Sequence, residues 1–120
     1  MPQDDAKIQH DAQLRRKACR TALIDLFCAR FPNAFSMATP KPLKKRCLVD
    51  VATDWEAHRD DYPACSKLLL REAFGVYTSK KRYHQACLVN GAMRVDLQGE
   101  AVEAVADAEK DYHLERLAKK

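Results

Sequence analysis

The chain has 120 residues, with 21 lysines and arginines against 17 aspartates and glutamates, and a formal net charge of +4. That length suits one domain with a modest core, and 47% hydrophobic with 32% charged residues is the composition of a soluble globular protein. No apolar run is long enough to span a bilayer and the acidic opening MPQDDAKIQHD is not a signal peptide, so a cytoplasmic protein without a membrane partner is expected.

Residues 1–10 read as a flexible tail and residues 11–120 as the domain. From 11 to 30 the pattern is helical: Leu14, Ala18, Thr21, Ala22 and Cys28 share a side, and Leu23, Leu26 and Phe27 extend it. Asp11 suits the N-cap and Pro32 stops the helix. The loop FPNAFSMATPKP is expected to be ordered by Phe31 and Phe35 entering the core. A second helix is predicted over 43–58, with Leu43, Cys47, Leu48, Val51 and Trp55 on one face and Pro42 in the first turn. Lys44, Lys45 and Arg46 then occupy that first turn, where the macrodipole prefers anions. A third helix over 66–77 presents Leu70, Ala73, Phe74 and Tyr77 inward, and Lys67, Arg71 and Gly75 on the opposite side at i, i+4, i+8. Thr78 or Ser79 caps a short fourth helix ending near Cys87. Asn90-Gly91 turns the chain, 93–97 alternates as a strand, Gln98-Gly99 turns it back, and 101–105 is the partner strand. Asp107 caps a last helix over 108–119. The expected fold is mainly α with a small β-hairpin (α+β), a compact single domain of about five helices.

Charge is unevenly placed. Residues 1–40 carry +2, residues 41–94 carry +5 and residues 95–120 carry −3. A basic middle ahead of an acidic end suggests a polyanion-binding face with a solvated acidic helix behind it. Two cationic runs, Lys44-Lys45-Arg46 and Lys80-Lys81-Arg82, sit at predicted helix starts, beside the stripe Lys67/Arg71. A single run is most simply a solvated surface. Two runs at helix N-termini, whose backbone N–H groups lack partners, favour phosphate contact. Tyr83 has two readings, stacking on a base or packing at the core edge. Arg94 has two as well, a fork onto phosphate or an ion pair with Asp96 or Glu72.

The five cysteines are odd in number and lack zinc-knuckle spacing, so they read as reduced core thiols. His84 and Cys87 share a helical face at i, i+3, but no orienting carboxylate is recognisable, and a core thiol near a surface histidine is the simpler reading. His10, His58 and His113 show no metal spacing. No constellation supports an enzyme, a metal, a cofactor or a small-molecule substrate.

The order FPNAFS, PLK, YTSKKRY and NGAMRVDLQG resembles the ProQ/FinO family of bacterial RNA chaperones over about residues 20–117. The most specific piece is Y-T-S-x-x-R-Y followed by G-A-x-R-V-D-L-x-G. The resemblance implies a FinO-like RNA-binding domain, mainly helical with a small hairpin. It implies an RNA chaperone for structured RNAs, each a terminator-like stem with a 3′ single-stranded tail. Small RNAs and messenger 3′ ends would be its partners in post-transcriptional regulation, their 3′ ends protected or their pairing promoted. By motif position Tyr83 and Arg94 form a pocket for the 3′ end. Lys44, Lys67, Arg71 and Arg82 form the basic face for the stem. Lys41, Lys45, Arg46, Ser79, Lys80 and Lys81 are further candidate contacts. Family members commonly carry arginine at the position of Gly75, and apolar or glycine residues at those of Lys45 and Arg46. A double-stranded DNA binder and a basic-faced protein-interaction adaptor are the alternatives. A monomer is expected.

Overall fold

Five helices and one hairpin are built along the chain among residues 2–119, which the computed structural model describes, with side chains from 7 to 119. They are α1 (Pro2–Arg30), α2 (Cys47–Ala57), a 3₁₀ turn (Arg59–Asp61), α3 (Lys67–Thr78), α4 (Lys81–Cys87), β1 (Met93–Val95), β2 (Ala101–Ala104) and α5 (Asp107–Ala118). The mainly helical fold with a two-stranded antiparallel hairpin is the expected one. No helix among the described residues is long and apolar enough to cross a membrane.

Helix α1 starts well ahead of residue 11, so the segment expected as a tail is helical from Pro2; Met1 lies outside the described residues. The side chains of residues 7–18 are all exposed, and the core begins only at Leu23, Ile24 and Phe27. Arg30 closes the helix with a forked ion pair to Asp54 of α2, whose carboxylate also accepts from the Tyr62 hydroxyl at 2.6 Å and lies 3.2 Å from His58 Nδ1. The Arg30 guanidinium holds the Asp54 carboxyl below its ordinary range.

The core is a chain of rings. Phe27 packs on Phe35 with centroids 5.2 Å apart, Phe35 on Tyr77 at 5.0 Å, and Tyr77 on Tyr83 at 5.9 Å. Phe31 and Phe35 enter the core as expected, at 9% and 1% exposure. The irregular segment 31–46 is thereby anchored on aromatic area, the largest apolar surface a side chain offers. The Tyr77 hydroxyl adds a polar anchor: it accepts from the Ser36 N–H at 3.0 Å and donates to the Ser36 carbonyl at 3.1 Å.

Helix α2 begins at Cys47, not at residue 43. Leu43 forms an isolated parallel bridge to Val95: the Val95 N–H donates to the Pro42 carbonyl at 2.9 Å, and the Lys44 N–H to the Val95 carbonyl at 2.8 Å. Backbone groups committed to that bridge cannot also open a helix. The chain then turns through Arg46 at φ 64°, a left-handed conformation, before α2 starts. The cations 44–46 therefore precede the helix and do not form its first turn.

Ser66 caps α3, its hydroxyl accepting from the Leu69 N–H at 3.2 Å. Leu70, Ala73 and Tyr77 are buried and Phe74 is half-buried, as the periodicity predicts. Neither Thr78 nor Ser79 caps α4. Thr78 is the last residue of α3, and the two hydroxyls turn back to the Phe74 and Gly75 carbonyls at 3.1 and 2.6 Å. Lys80 takes the N-cap position without a side-chain bond. In the hairpin, β1 ends at Val95, short of the expected 97, with a register shift between Arg94 and Val95, and the chain then turns at Asp96, whose carbonyl accepts the Gly99 N–H at 2.9 Å. The Asp96 carboxylate turns the chain by accepting the N–H groups of Gln98 and Glu100, both at 3.0 Å. Asp107 lies inside α5, with Ala106 at the cap, and the Glu109 carboxylate accepts the Ala106 N–H at 3.3 Å.

Candidate nucleic-acid interface

The start of α4 gathers the densest charge. Lys80, Lys81 and Arg82 occupy its N-cap and first turn, with no acidic residue among them. They rim a pocket of about 400 Å³ whose floor is the loop residues Ser36, Met37, Ala38 and Pro40, and whose inner wall is Tyr77 and Tyr83. The sequence places these cations correctly. Among the described residues none of the three makes an ion pair. A hollow with an uncompensated cationic rim suits a phosphate-bearing ligand.

Tyr83 and Arg94 meet at one residue. The Tyr83 ring is only 6% exposed, and its hydroxyl accepts from the Leu43 N–H at 3.1 Å. Burial pushes the phenol well above its ordinary range. Arg94, 8% exposed, donates through Nη1 to the Leu43 carbonyl at 2.6 Å, and its Nη2 pairs with Glu109 of α5. Both side chains thus hold the Leu43 backbone against β1. Tyr83 lines the pocket; Arg94 sits behind it and is not part of the lining. Of the two readings of Tyr83, packing at the core edge is the one observed, with the residue also lining the pocket. Arg94 forms an ion pair, with Glu109 and not with Asp96 or Glu72.

The other candidates differ in how free they are. Lys67 and Arg71 are exposed along α3 and have no ion pair among the described residues. Lys44 is bound to Asp50 at 2.8 Å, and that carboxylate raises its pKa. Lys45 approaches Glu109 at 3.8 Å. Lys41 donates to the Asn33 carbonyl at 3.2 Å, and Arg46 is exposed at its left-handed turn. Ser79 spends its hydroxyl on the Gly75 carbonyl.

Three features escape a reading of the sequence. Lys17 and Arg20 of α1 line hollows beside α3, and Arg16 reaches α3 through Glu72 at 3.5 Å, although their i, i+1, i+4 spacing marks one helical side. Glu109 is the counter-charge of Arg94, so α5 is more than a solvated acidic face. His84 pairs not with Cys87 but with His113, Nδ1 to Nδ1 at 2.7 Å, which joins α4 to α5. One ring must donate and the other accept. Burial and the nearby Arg94 charge lower the His113 pKa. Cys87 is fully buried and its thiol is pushed up to about 11, unfit as a nucleophile near neutral pH. No cluster of three or more metal-ligating side chains occurs among the described residues.

Comparison with known proteins bears on this arrangement. A family model described as the ProQ/FINO family matches residues 17–120. The chain is 42% identical over 93 residues to the RNA chaperone ProQ of Haemophilus influenzae, covering 77% of this chain and 44% of that protein. It is 40% identical over 90 residues to the ProQ of Haemophilus ducreyi, covering 74% and 47%. The chain thus spans about half the length of the curated relatives it matches. Among solved structures, the NMR solution structure of a ProQ homolog from Legionella pneumophila superposes with a TM-score of 0.70 at 31% identity, covering 84% of this chain and 82% of that one.

Proposed function

The chain belongs to the ProQ/FinO family, and from that premise we propose that it is a cytoplasmic, monomeric RNA-binding chaperone domain with no catalytic step. Residues 11–120 form the binding unit. Its ligand is a structured RNA, a base-paired stem with a free 3′ tail, such as the terminator end of a small RNA or messenger. The 3′ end enters the pocket walled by Tyr77 and Tyr83 and rimmed by Lys80, Lys81 and Arg82. Arg94 serves that pocket by holding Leu43 behind it. Lys67 and Arg71, with Arg82, Lys44 and the neighbouring Lys41, Lys45 and Arg46, meet stem phosphates and release counterions. Selectivity for an A-form stem comes from shape, because side chains cannot read its deep major groove.

The observation that carries this reading is the joint occurrence of an aromatic-walled hollow and cations without carboxylate partners on one rim. Shielding the 3′ end and assisting pairing both follow from binding. The test compares one hairpin with a free 3′ hydroxyl and the same hairpin with a 3′ phosphate, by fluorescence titration at fixed salt. The free end should bind at least about tenfold tighter, a difference of about 1.4 kcal/mol. Equal affinity would remove the 3′ end from the pocket. A duplex DNA of the same length that competes equally would replace RNA by DNA as the ligand.

A further inference from the structure

The cation stripe of α3 stops short. Lys67 and Arg71 follow one another at a spacing of about 6 Å along the helix axis, and the next position of that row is Gly75. A Cβ built on Gly75 would meet nothing within 4 Å. Beside it lies a hollow of about 550 Å³ lined by Glu72, Gly75 and Val76 of α3, by Ser79 and Lys80, and by Arg20 of α1. A second hollow of about 220 Å³ continues it and adds Lys17 and Met37. Lys80 and Met37 also line the 400 Å³ pocket, so the three hollows lie side by side along α1, α3 and the start of α4.

The charge around these hollows is positive. Glu72 is shared by two guanidinium groups, Arg16 at 3.5 Å and Arg20 at 3.4 Å, so one carboxylate answers two cations. Lys17 and Lys80 have no ion pair among the described residues, and Asp25 is the other carboxylate in the lining. Of the side chains lining these two hollows, three cations, Lys17, Arg20 and Lys80, stand against Glu72 and Asp25, with Arg16 beside them as the second partner of Glu72. Arg20 keeps 28% of its side chain exposed, enough to present guanidinium donors to a ligand.

We propose that Arg20 and Lys17 of α1 supply, from across the groove, the phosphate contact that α3 omits at Gly75. The occupant is the phosphodiester backbone of the bound RNA, running from the Lys67–Arg71 stripe through the α1–α3 groove toward the 400 Å³ pocket. This rests on the RNA-binding reading above and extends it to a helix whose cations lie on no recognisable motif. The glycine makes the groove wide enough for a backbone to pass, and the long basic side chains of α1 reach over it. Glu72 holds the Arg20 guanidinium in place, as a carboxylate orients a fork.

The test is a cycle on the full chain, read by titration of a labelled hairpin RNA at several salt concentrations. Arg20→Ala and Lys17→Ala should each weaken binding at least about threefold and reduce the salt slope by about one unit, with unchanged circular dichroism. Lys17 makes no ion pair, so its truncation leaves the α1–α3 contact intact. Gly75→Arg should restore affinity and slope in the Arg20→Ala background, and gain distinctly less in the unaltered chain. Unchanged affinity and slope in both α1 variants, with the unaltered chain still binding the hairpin, would overturn the α1 contact and leave the RNA-binding reading standing. Equal gains from Gly75→Arg in both backgrounds would show that Arg20 and position 75 serve different phosphates, which overturns the substitution. No hairpin binding by the unaltered chain would instead overturn the RNA-binding reading itself.

Discussion

Replacing Tyr83 by phenylalanine separates what the ring does from what the hydroxyl does. The ring stays, so the contact with Tyr77 at 5.9 Å and the pocket wall survive. The hydroxyl that accepts the Leu43 N–H at 3.1 Å is lost. Leu43 is 2% exposed and Tyr83 6%, so water does not replace it and the N–H is stranded. A buried donor left without a partner costs about 1–3 kcal/mol. A loss near 2 kcal/mol is therefore expected, with little added from packing because the two residues differ by one oxygen. At a urea slope of about 2 kcal/mol/M, the unfolding midpoint should fall by about 1 M. RNA affinity measured at low denaturant, where the variant remains folded, should change by less than about threefold, since the hydroxyl is committed to Leu43. An unchanged midpoint together with weakened RNA binding would refute this reasoning and place the hydroxyl on the RNA. Tyr83→Ala is a poorer probe, because truncating a buried aromatic costs about 3–5 kcal/mol and confounds folding with binding.

Four further outcomes are expected. Gly99 sits at φ 82°, and a Cβ there would lie 2.6 Å from the Asn33 carbonyl oxygen, so Gly99→Ala should cost at least about 2 kcal/mol by urea unfolding. Gly75→Ala, in a helix with open space around it, should instead stabilise by up to about 1 kcal/mol. Acid should erode stability in two stages, because both perturbed groups have folded pKa values depressed below their ordinary ones and so bind protons more readily when unfolded. The first begins as pH falls below 6.5, the ordinary value for His113, and the second below 3.8, that for Asp54. Asp54→Asn should lower stability at neutral pH and flatten the second stage; an unaltered acid limb would deny Asp54 that role. Lys67→Ala should weaken hairpin binding while reducing the salt slope by about one unit, and an unchanged slope would remove Lys67 from the phosphate contacts.

Local pattern made most of the fold legible. The buried face of α3 follows the 3.6-residue period and the Asn90-Gly91 and Gln98-Gly99 turns bracket β1, whereas in α1 the expected side of Leu14, Ala18, Thr21 and Ala22 is exposed, and Leu23, Ile24 and Phe27 carry the helix into the core. What pattern could not supply was long-range pairing. Residues 43–46 have helical periodicity, but the bridge from Leu43 to Val95 lies half the chain away and claims their backbone first. The same applies to Arg94 with Glu109 and to His84 with His113, where neither partner marks the other in sequence. Motif resemblance identified Tyr83 and Arg94 as a pair, yet not that they meet through Leu43. The α1 cations were visible as residues and invisible as a wall, because only the packing of α1 on α3 brings Arg20 beside Gly75 and Lys17 into the neighbouring hollow.

The Leu43 peptide is gripped from both sides, its N–H by a tyrosine on α4 and its carbonyl by an arginine on β1. Such a joint divides the interface into two kinds of position. Residues at the joint are tied to the integrity of the fold, so change there is punished whatever ligand is bound. The outward cations Lys41, Lys67, Arg71, Lys80, Lys81 and Arg82 carry no such duty and can be exchanged one at a time. Under the proposed function, RNA preference and tolerance of ionic strength are set on the rim, while the joint beneath it holds the fold.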